Sequence, residues 1–134
     1  MNWKLIFQLS LFGLVMAFGT ISLIPDKIEP LFWLAIFIVV GYIIAKTCTQ
    51  KIFLHGFFVS MFNCVWIMIA HVLFYRSYAQ HHPEMVNMFS TNPLHNHPRV
   101  LMLITGPFIG AFFGLFQGLF AFIISRFVKP NITK

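Results

Sequence analysis

The chain has 134 residues, of which 59% are hydrophobic and only 9% are charged, whereas an average soluble domain carries about 25% charged residues. This composition excludes an ordinary soluble domain, because too little polar material is present to cover its surface. The formal net charge is +6, but the basic residues stand at the ends of apolar runs and form no patch, so we expect no nucleic-acid partner. The expected partner is the lipid bilayer.

Four segments of the chain are long and apolar enough to cross a bilayer, which takes about 20 apolar residues in a helix. We predict spans over about residues 5–24, 29–46, 52–75 and 100–125. Apart from Glu29 and Lys46, the two end residues of the second segment, these segments contain no Asp, Glu, Lys or Arg. The sequence therefore predicts an all-α fold: a polytopic membrane protein built as an antiparallel bundle of four transmembrane helices, with residues 1–134 as a single transmembrane domain.

Three polar connections join the predicted spans. Pro25 and Pro30 enclose the first connection, which predicts a tight helical hairpin. The second connection, residues 46–51, is equally short. The third connection, residues 76–99, is the only sizeable extramembrane segment, and its three prolines predict an irregular loop.

The distribution of Lys and Arg predicts the orientation, because cytoplasmic loops of membrane proteins carry an excess of these residues. With four spans, the two termini and the second connection share one side with six basic residues, whereas the other side has three. We therefore expect both termini in the cytoplasm and the 76–99 loop outside the inner (plasma) membrane. A cleaved signal sequence is the alternative for the first segment, although its apolar run continues to Ile24, beyond the small-residue motif at 17–19.

The fourth span carries a glycine at every fourth position: Gly106, Gly110, Gly114 and Gly118. On a helix of 3.6 residues per turn these positions form one slowly rotating groove. Small residues let two helix backbones approach closely, which is a main source of helix association in lipid. We predict that this glycine stripe packs helices, either within the bundle or at a homo-oligomer contact. A ligand slot is the alternative.

The third and fourth spans also contain intramembrane polar residues: Ser60, Asn63, His71 and Gln117. The three in the third span share one arc of the helical wheel with Cys64, and we expect this arc to face other helices. His55 falls outside the arc and is expected to reach water at the cytoplasmic end. The arc predicts an interhelical hydrogen-bond set. The functional alternative is a polar track for a small substrate or for protons.

Pro107 interrupts the hydrogen bonding of the fourth span. It frees the carbonyl of Leu103, four residues earlier, and an unpaired carbonyl in hydrocarbon costs several kcal/mol. We expect His71 or Thr105 to donate a hydrogen bond to this carbonyl. The lack of carboxylates within the spans argues against an ion-coupled pump, because coupling needs a group that changes its charge inside the membrane.

The third connection holds candidate metal ligands: His81, His82, Glu84, His95 and His97. Imidazole and carboxylate groups suit zinc, copper or nickel, but the spacing matches no zinc-finger or protease pattern. We expect no cofactor, with a transition metal such as zinc at this loop as the alternative and pH sensing as a related one. The sequence contains no nucleotide loop, no nucleophile with a partnered base and no carboxylate pair, so we expect no enzyme activity.

The layout of the spans, together with the glycines of the fourth, resembles the small uncharacterised four-helix inner-membrane proteins of bacteria. The resemblance covers the whole chain and implies no activity. The sequence favours a non-enzymatic helix-packing module or subunit, with copies of itself or other membrane proteins as partners. The alternatives are a small oligomeric transporter or permeation protein lined by the polar track, and an outward-facing metal-binding or sensing protein that uses the loop histidines.

Overall fold

The computed structural model describes residues 1–93 and 96–131, and these residues form six α-helices. Four helices are long: α1 (Trp3–Ser22), α2 (Glu29–Thr47), α3 (Ile52–Leu73) and α6 (Pro98–Phe127). Two are short: α4 (Tyr75–His81) and α5 (Pro83–Ser90). The four long helices are long and apolar enough to cross a membrane, which is the architecture of a multi-pass membrane protein. The predicted all-α fold is confirmed.

Local sequence explains where α1 begins and ends. The side-chain Oδ1 of Asn2 accepts a hydrogen bond from the backbone N–H of Leu5 at 3.1 Å, so Asn2 caps the first turn. At the other end, the N–H groups of Leu23 and Ile24 both donate to the carbonyl of Gly19 at 2.9 Å. These bonds close the last turn and leave the carbonyl of Thr20 open to another donor.

The prediction that prolines make the third connection an irregular loop is wrong for its first part. This part forms α4 and α5, and Pro83 is the first residue of α5. The described residues 91–93, which include Pro93, are not helical. Pro98, like Pro83, begins a helix, α6. A first-turn N–H has no intrahelical partner, so a proline there costs no hydrogen bond and its fixed φ suits a helix. These two prolines mark helix starts.

The helices do not pack in the order of the chain. α3 packs mainly on α6 and α1, α2 packs mainly on α6, and α1 and α2 barely touch. The packing order is therefore α1, α3, α6, α2. The connection between α1 and α2 is short, as predicted, but the two helices do not pack mainly on each other. The main partner of α1 is α3, and the main partner of α2 is α6. The predicted tight hairpin is wrong in this respect.

Neighbouring helices in this packing order run both parallel and antiparallel. Gly56 of α3 faces Gly118 of α6, and Gly106 faces Met68, so α3 and α6 are antiparallel. Hydrogen bonds join the start of α1 to the start of α3 and the ends of the two helices to each other, so these helices are parallel. α2 and α6 are also parallel, because successive residues of α2 meet successively later residues of α6.

The apolar core is deepest near the two termini. All four long helices contribute to one cluster there: Ile6, Leu9, Val40, Ile44, Cys48, Val59 and Ala121. A second cluster at the opposite end contains residues of α1 and α3 alone: Ala17, Ile21 and Ala70. In α2, residues 29–36 include no buried residue. The bundle is thus most extensively packed near the termini, and the first two turns of α2 are not part of the core at the other end.

Candidate functional site

The glycine stripe of α6 lies against α3 of the same chain. All four of its glycines are buried. A Cβ on Gly118 would lie 2.8 Å from the carbonyl oxygen of Phe53, and one on Gly56 would lie 2.7 Å from the carbonyl oxygen of Gln117. Real Cβ contacts are never this short, so the two backbones meet only because both helices carry glycine here. The groove is filled by α3.

The other half of the stripe meets side chains instead of backbone. A Cβ on Gly110 would lie 2.8 Å from the Cβ of Cys64, and one on Gly106 would meet the thioether of Met68. The Cys64 thiol donates a hydrogen bond to the carbonyl of Gly106 at 2.9 Å. The closest backbone approach of α3 and α6 therefore lies at the end near the termini.

His55 ties the start of α3 to the start of α1. Its Nε2 accepts the backbone N–H of Asn2 at 2.9 Å, and its Nδ1 donates to the carbonyl of Lys51 at 2.9 Å. This pattern assigns the neutral Nδ1–H tautomer. The residue is 3% exposed, so the expectation that it reaches water is wrong. Helical periodicity placed it off the polar arc but gave no sign of the chain end folding over it.

Trp66 makes the second tie between α3 and α1. Its Nε1–H donates to the Oγ of Ser10 at 3.1 Å, and the Ser10 hydroxyl donates in turn to the carbonyl of Phe7 at 2.7 Å. Nearby, Gly13 lies directly against Asn63, where a Cβ would come within 2.6 Å of the Asn63 Cα. Gly13 therefore lets the two helices meet at mid-depth.

His71 forms the third hydrogen bond between α3 and α1, near the other end of α3. The Thr20 hydroxyl donates to the carbonyl of Met16 at 2.9 Å, so the His71 Nε2, 3.1 Å from that hydroxyl, is the donor to Thr20 Oγ1. The polar arc of α3 is thus divided, since Cys64 contacts α6 and His71 contacts α1.

Two side-chain carboxamides in the bundle interior have polar atoms without a hydrogen-bond partner. Asn63 is 2% exposed, and neither its Oδ1 nor its Nδ2 has a hydrogen-bond partner in the described structure. Gln117 is fully buried, and its Nε2 donates to the carbonyl of Phe37 at 3.2 Å, whereas its Oε1 is unpaired. Ser60 is also buried. Its position lies between these two along α3, because Gln117 stands opposite Gly56.

The expected donors to the Leu103 carbonyl bind elsewhere. Thr105 donates to the carbonyl of Leu101 at 2.9 Å, and the ring nitrogen Nε2 of His71 is engaged with Thr20. The prediction that either residue compensates Pro107 is therefore wrong. α6 continues through this proline as one helix.

A cluster of titratable side chains lies at the end of the bundle away from the termini. The ring of Tyr78 stacks between two imidazoles, with centroids 4.3 Å from His71 and 4.6 Å from His82. The Nδ1 of His82 lies 2.5 Å from Oδ1 of Asp26, and its Nε2 lies 2.6 Å from the carbonyl oxygen of Thr20. Burial, followed by the negative charge of Asp26, raises the pKa of Tyr78 to about 12.

The candidate metal ligands of the third connection have separate surroundings. His82 belongs to the buried cluster, whereas the Nδ1 of its exposed neighbour His81 pairs with the carbonyl of Ser77 at 2.8 Å. Glu84 and His97 are exposed, and the predicted ligand His95 lies outside the described residues. Among residues 1–93 and 96–131, no group of three His, Cys, Asp or Glu side chains could hold a metal ion.

Several residues of these contacts were not predicted from the sequence. Thr20, Asp26 and Tyr78 come from three separate segments, and nothing in their spacing links them. The only other glycine of α1 is Gly19, six residues after Gly13, so α1 lacks the four-residue glycine period that marked the stripe in α6. Comparisons with protein-family models, curated proteins and solved structures find no match to this chain.

Proposed function

We propose that the protein is a non-enzymatic multi-pass membrane module that acts as a subunit of a homo-oligomer or of a complex with other membrane proteins. The observation that carries this proposal is that polar side chains buried in the membrane-spanning helices form hydrogen bonds to neighbouring helices. His55, Trp66 and His71 tie α3 to α1, and Gln117 ties α6 to α2. These four polar side chains therefore contribute to helix packing, which favours an architectural function.

The glycine stripe supports the same proposal in a narrower form. It is occupied by α3 of its own chain, so association with a partner uses other surfaces. The long helices present many large apolar side chains outward, including Phe108 at 75% and Phe112 at 57% exposure. We place the module in the inner membrane with both termini in the cytoplasm, because six basic residues lie on that side against three on the other.

Native mass spectrometry of the full chain, released from mild detergent, tests this function. We expect a defined oligomer or a stoichiometric complex with another membrane protein. The measurement also reports bound metal, and we expect none. A monomer under all mild conditions, combined with solute flux through proteoliposomes that contain only this chain, would contradict the proposal.

A second candidate function is permeation of a small neutral solute, and the unpaired amides favour it. An unpaired polar group in the membrane interior carries a cost of several kcal/mol, and Asn63 and Gln117 Oε1 both remain unpaired. Flux of small uncharged solutes into proteoliposomes distinguishes the candidates. Permeation predicts a flux that Asn63→Leu reduces, whereas the architectural function predicts equal, background flux in both proteins.

A further inference from the structure

The two ring nitrogens of His82 both face hydrogen-bond acceptors. Nε2 lies 2.6 Å from the backbone carbonyl oxygen of Thr20, which can only accept. Nδ1 lies 2.5 Å from the Asp26 carboxyl oxygen. A neutral imidazole carries one N–H and cannot satisfy both contacts. The arrangement therefore holds one proton on Nε2 and a second between Nδ1 and Oδ1.

The position of this pair makes it a connection between separate segments. His82 stands between α4 and α5, Asp26 lies in the connection between α1 and α2, and Thr20 is in the last turn of α1. The last carbonyls of a helix carry partial negative charge and favour a protonated partner. The His82 side chain is 4% exposed, whereas that of Asp26 is 45% exposed, so the shared proton can exchange with water through Asp26.

We propose that His82 and Asp26 form a proton-dependent latch that holds the α4–α5 segment, residues 75–90, against the end of α1. The latch is closed while the pair holds its shared proton. Loss of that proton leaves the imidazole with one N–H for two acceptors, so an unprotonated ring nitrogen faces either the Asp26 carboxylate or the Thr20 carbonyl. One of the two contacts is then lost, and the segment is released. This proposal is independent of whether the module works as a subunit.

The groups around the latch support a single titrating pair. Tyr78 of α4 covers one face of the His82 ring, and burial together with the nearby carboxylates keeps its phenol neutral, since its pKa is raised to about 12. On α3, His71 points its Nε2 at Thr20 Oγ1. The further ionisable groups near Tyr78 are Tyr75 of the same helix and Glu29 at the start of α2. Both ring nitrogens of His82 are thus occupied by Thr20 and Asp26.

The protonation state is tested by nitrogen NMR of the full chain labelled at histidine in lipid nanodiscs. With the segment docked, both ring nitrogens of His82 should carry protons, whereas His55 should show the neutral Nδ1–H tautomer. His55 is the internal control, because its Nε2 accepts a backbone N–H. A singly protonated His82 in the docked protein would overturn the proposal.

The latch itself is tested by electron spin resonance with labels at two exposed positions, Asn87 on α5 and Leu103 on α6. A narrow distance distribution should broaden as the pH is raised. The ratio of docked to released protein should fall by about tenfold per pH unit while one proton is lost on release.

Asp26→Asn is the decisive variant. Its amide can donate to the Nδ1 of a neutral His82, so the segment should stay docked throughout the same pH range. His81→Gln, at the exposed neighbouring position, is the matched control and should behave as the unaltered chain. A segment that stays docked in the unaltered chain at every pH overturns the latch. Release that is equally pH-dependent in Asp26→Asn, or that occurs in this variant at every pH, also overturns it.

Discussion

The two faces of α3 are held by different physical means. Toward α1, hydrogen bonds occur at intervals along the helix, from His55 and Trp66 to His71. Toward α6, glycines bring the backbones together, with Gly56 against Gln117 and Gly118. Lipid tails are as apolar as leucine, so apolar area alone gives a helix no preference for protein over lipid. The preference of α3 for protein over lipid therefore comes from hydrogen bonds on the face toward α1 and from close glycine contacts on the face toward α6.

The difference concerns how each interface responds to a single change. A hydrogen-bonded interface distributes its stability over several ties, and the loss of one leaves the others. A glycine-lined interface depends on backbone atoms that cannot move aside for a new methyl group. We therefore expect the α3–α6 interface to fail at single positions. The α1–α3 interface should weaken in steps when its hydrogen bonds are removed, although it shares one close glycine contact, that of Gly13 with Asn63.

At the α3–α6 interface, the largest effect is expected for Gly56→Ala. The added methyl group would lie 2.7 Å from the carbonyl oxygen of Gln117 and 2.9 Å from the Cα of Gly118. We expect a loss of about 3 kcal/mol of unfolding free energy, or failure to fold, because overpacking against backbone forces the helices apart. The measurement is the unfolding free energy in bicelles.

Gly106→Ala and Phe116→Leu are the controls for this experiment. The methyl group at Gly106 would meet the Sδ and Cγ of Met68, an unbranched side chain that can change its rotamer. We therefore expect a loss of about 1 kcal/mol, the low end of the range for overpacking. Phe116 is 44% exposed, and its change should be nearly silent. Equal losses for Gly56→Ala and Gly106→Ala would contradict the contrast between backbone and side-chain contacts.

The α1–α3 interface should show a smaller effect for Trp66→Phe. This change removes the Nε1–H that donates to Ser10 Oγ and keeps an aromatic ring. We expect a loss of about 1 kcal/mol, the usual size of an interhelical hydrogen bond in lipid. Trp33→Phe is the control, because the Trp33 Nε1–H bonds Glu29 of its own helix. A double-mutant cycle with Ser10→Ala that shows no coupling would contradict the tie.

The most local effect, confined to high pH, concerns Tyr78 at the far end of the α1–α3 interface. Its pKa is raised to about 12 from the ordinary value of 10.0, mainly by burial. A raised pKa means that the folded state holds the proton more tightly, so stability falls as the pH rises from about 10 to about 12. Thermal unfolding across this range should show the decline, and Tyr78→Phe should remove it. If the stability of Tyr78→Phe falls over this pH range as much as that of the unaltered chain, another titratable group is responsible.

The sequence predicted the all-α fold, because apolar length alone sets which segments can cross a bilayer. It also singled out the glycines of α6, since their period of four matches the helix. It did not predict which helix each face meets. The neighbour of α1 is α3, through contacts such as Thr20 with His71 that join residues far apart in the chain.

The titratable cluster escaped prediction for a similar reason. His82 stood out in the sequence as a candidate metal ligand, next to His81, but its partners Asp26 and Thr20 lie more than fifty positions away. Helical periodicity does not extend across three separate segments. The short helices α4 and α5 bring these residues together, and Pro83 begins α5, although the sequence predicts an irregular loop there.

The central claim is that the glycine stripe packs against α3 of its own chain. The most direct test is Gly110→Cys in the chain that retains Cys64. A Cβ at position 110 would lie 2.8 Å from the Cys64 Cβ, so a displacement of about 1 Å brings the two to the separation of a disulfide. Mild oxidation in native membranes should give an intrachain disulfide, detected as a monomer that has lost two hydrogens by mass spectrometry. Phe116→Cys, on the exposed side of α6, should give no such bond. A disulfide-linked dimer formed through position 110 would contradict the account and place the stripe between subunits.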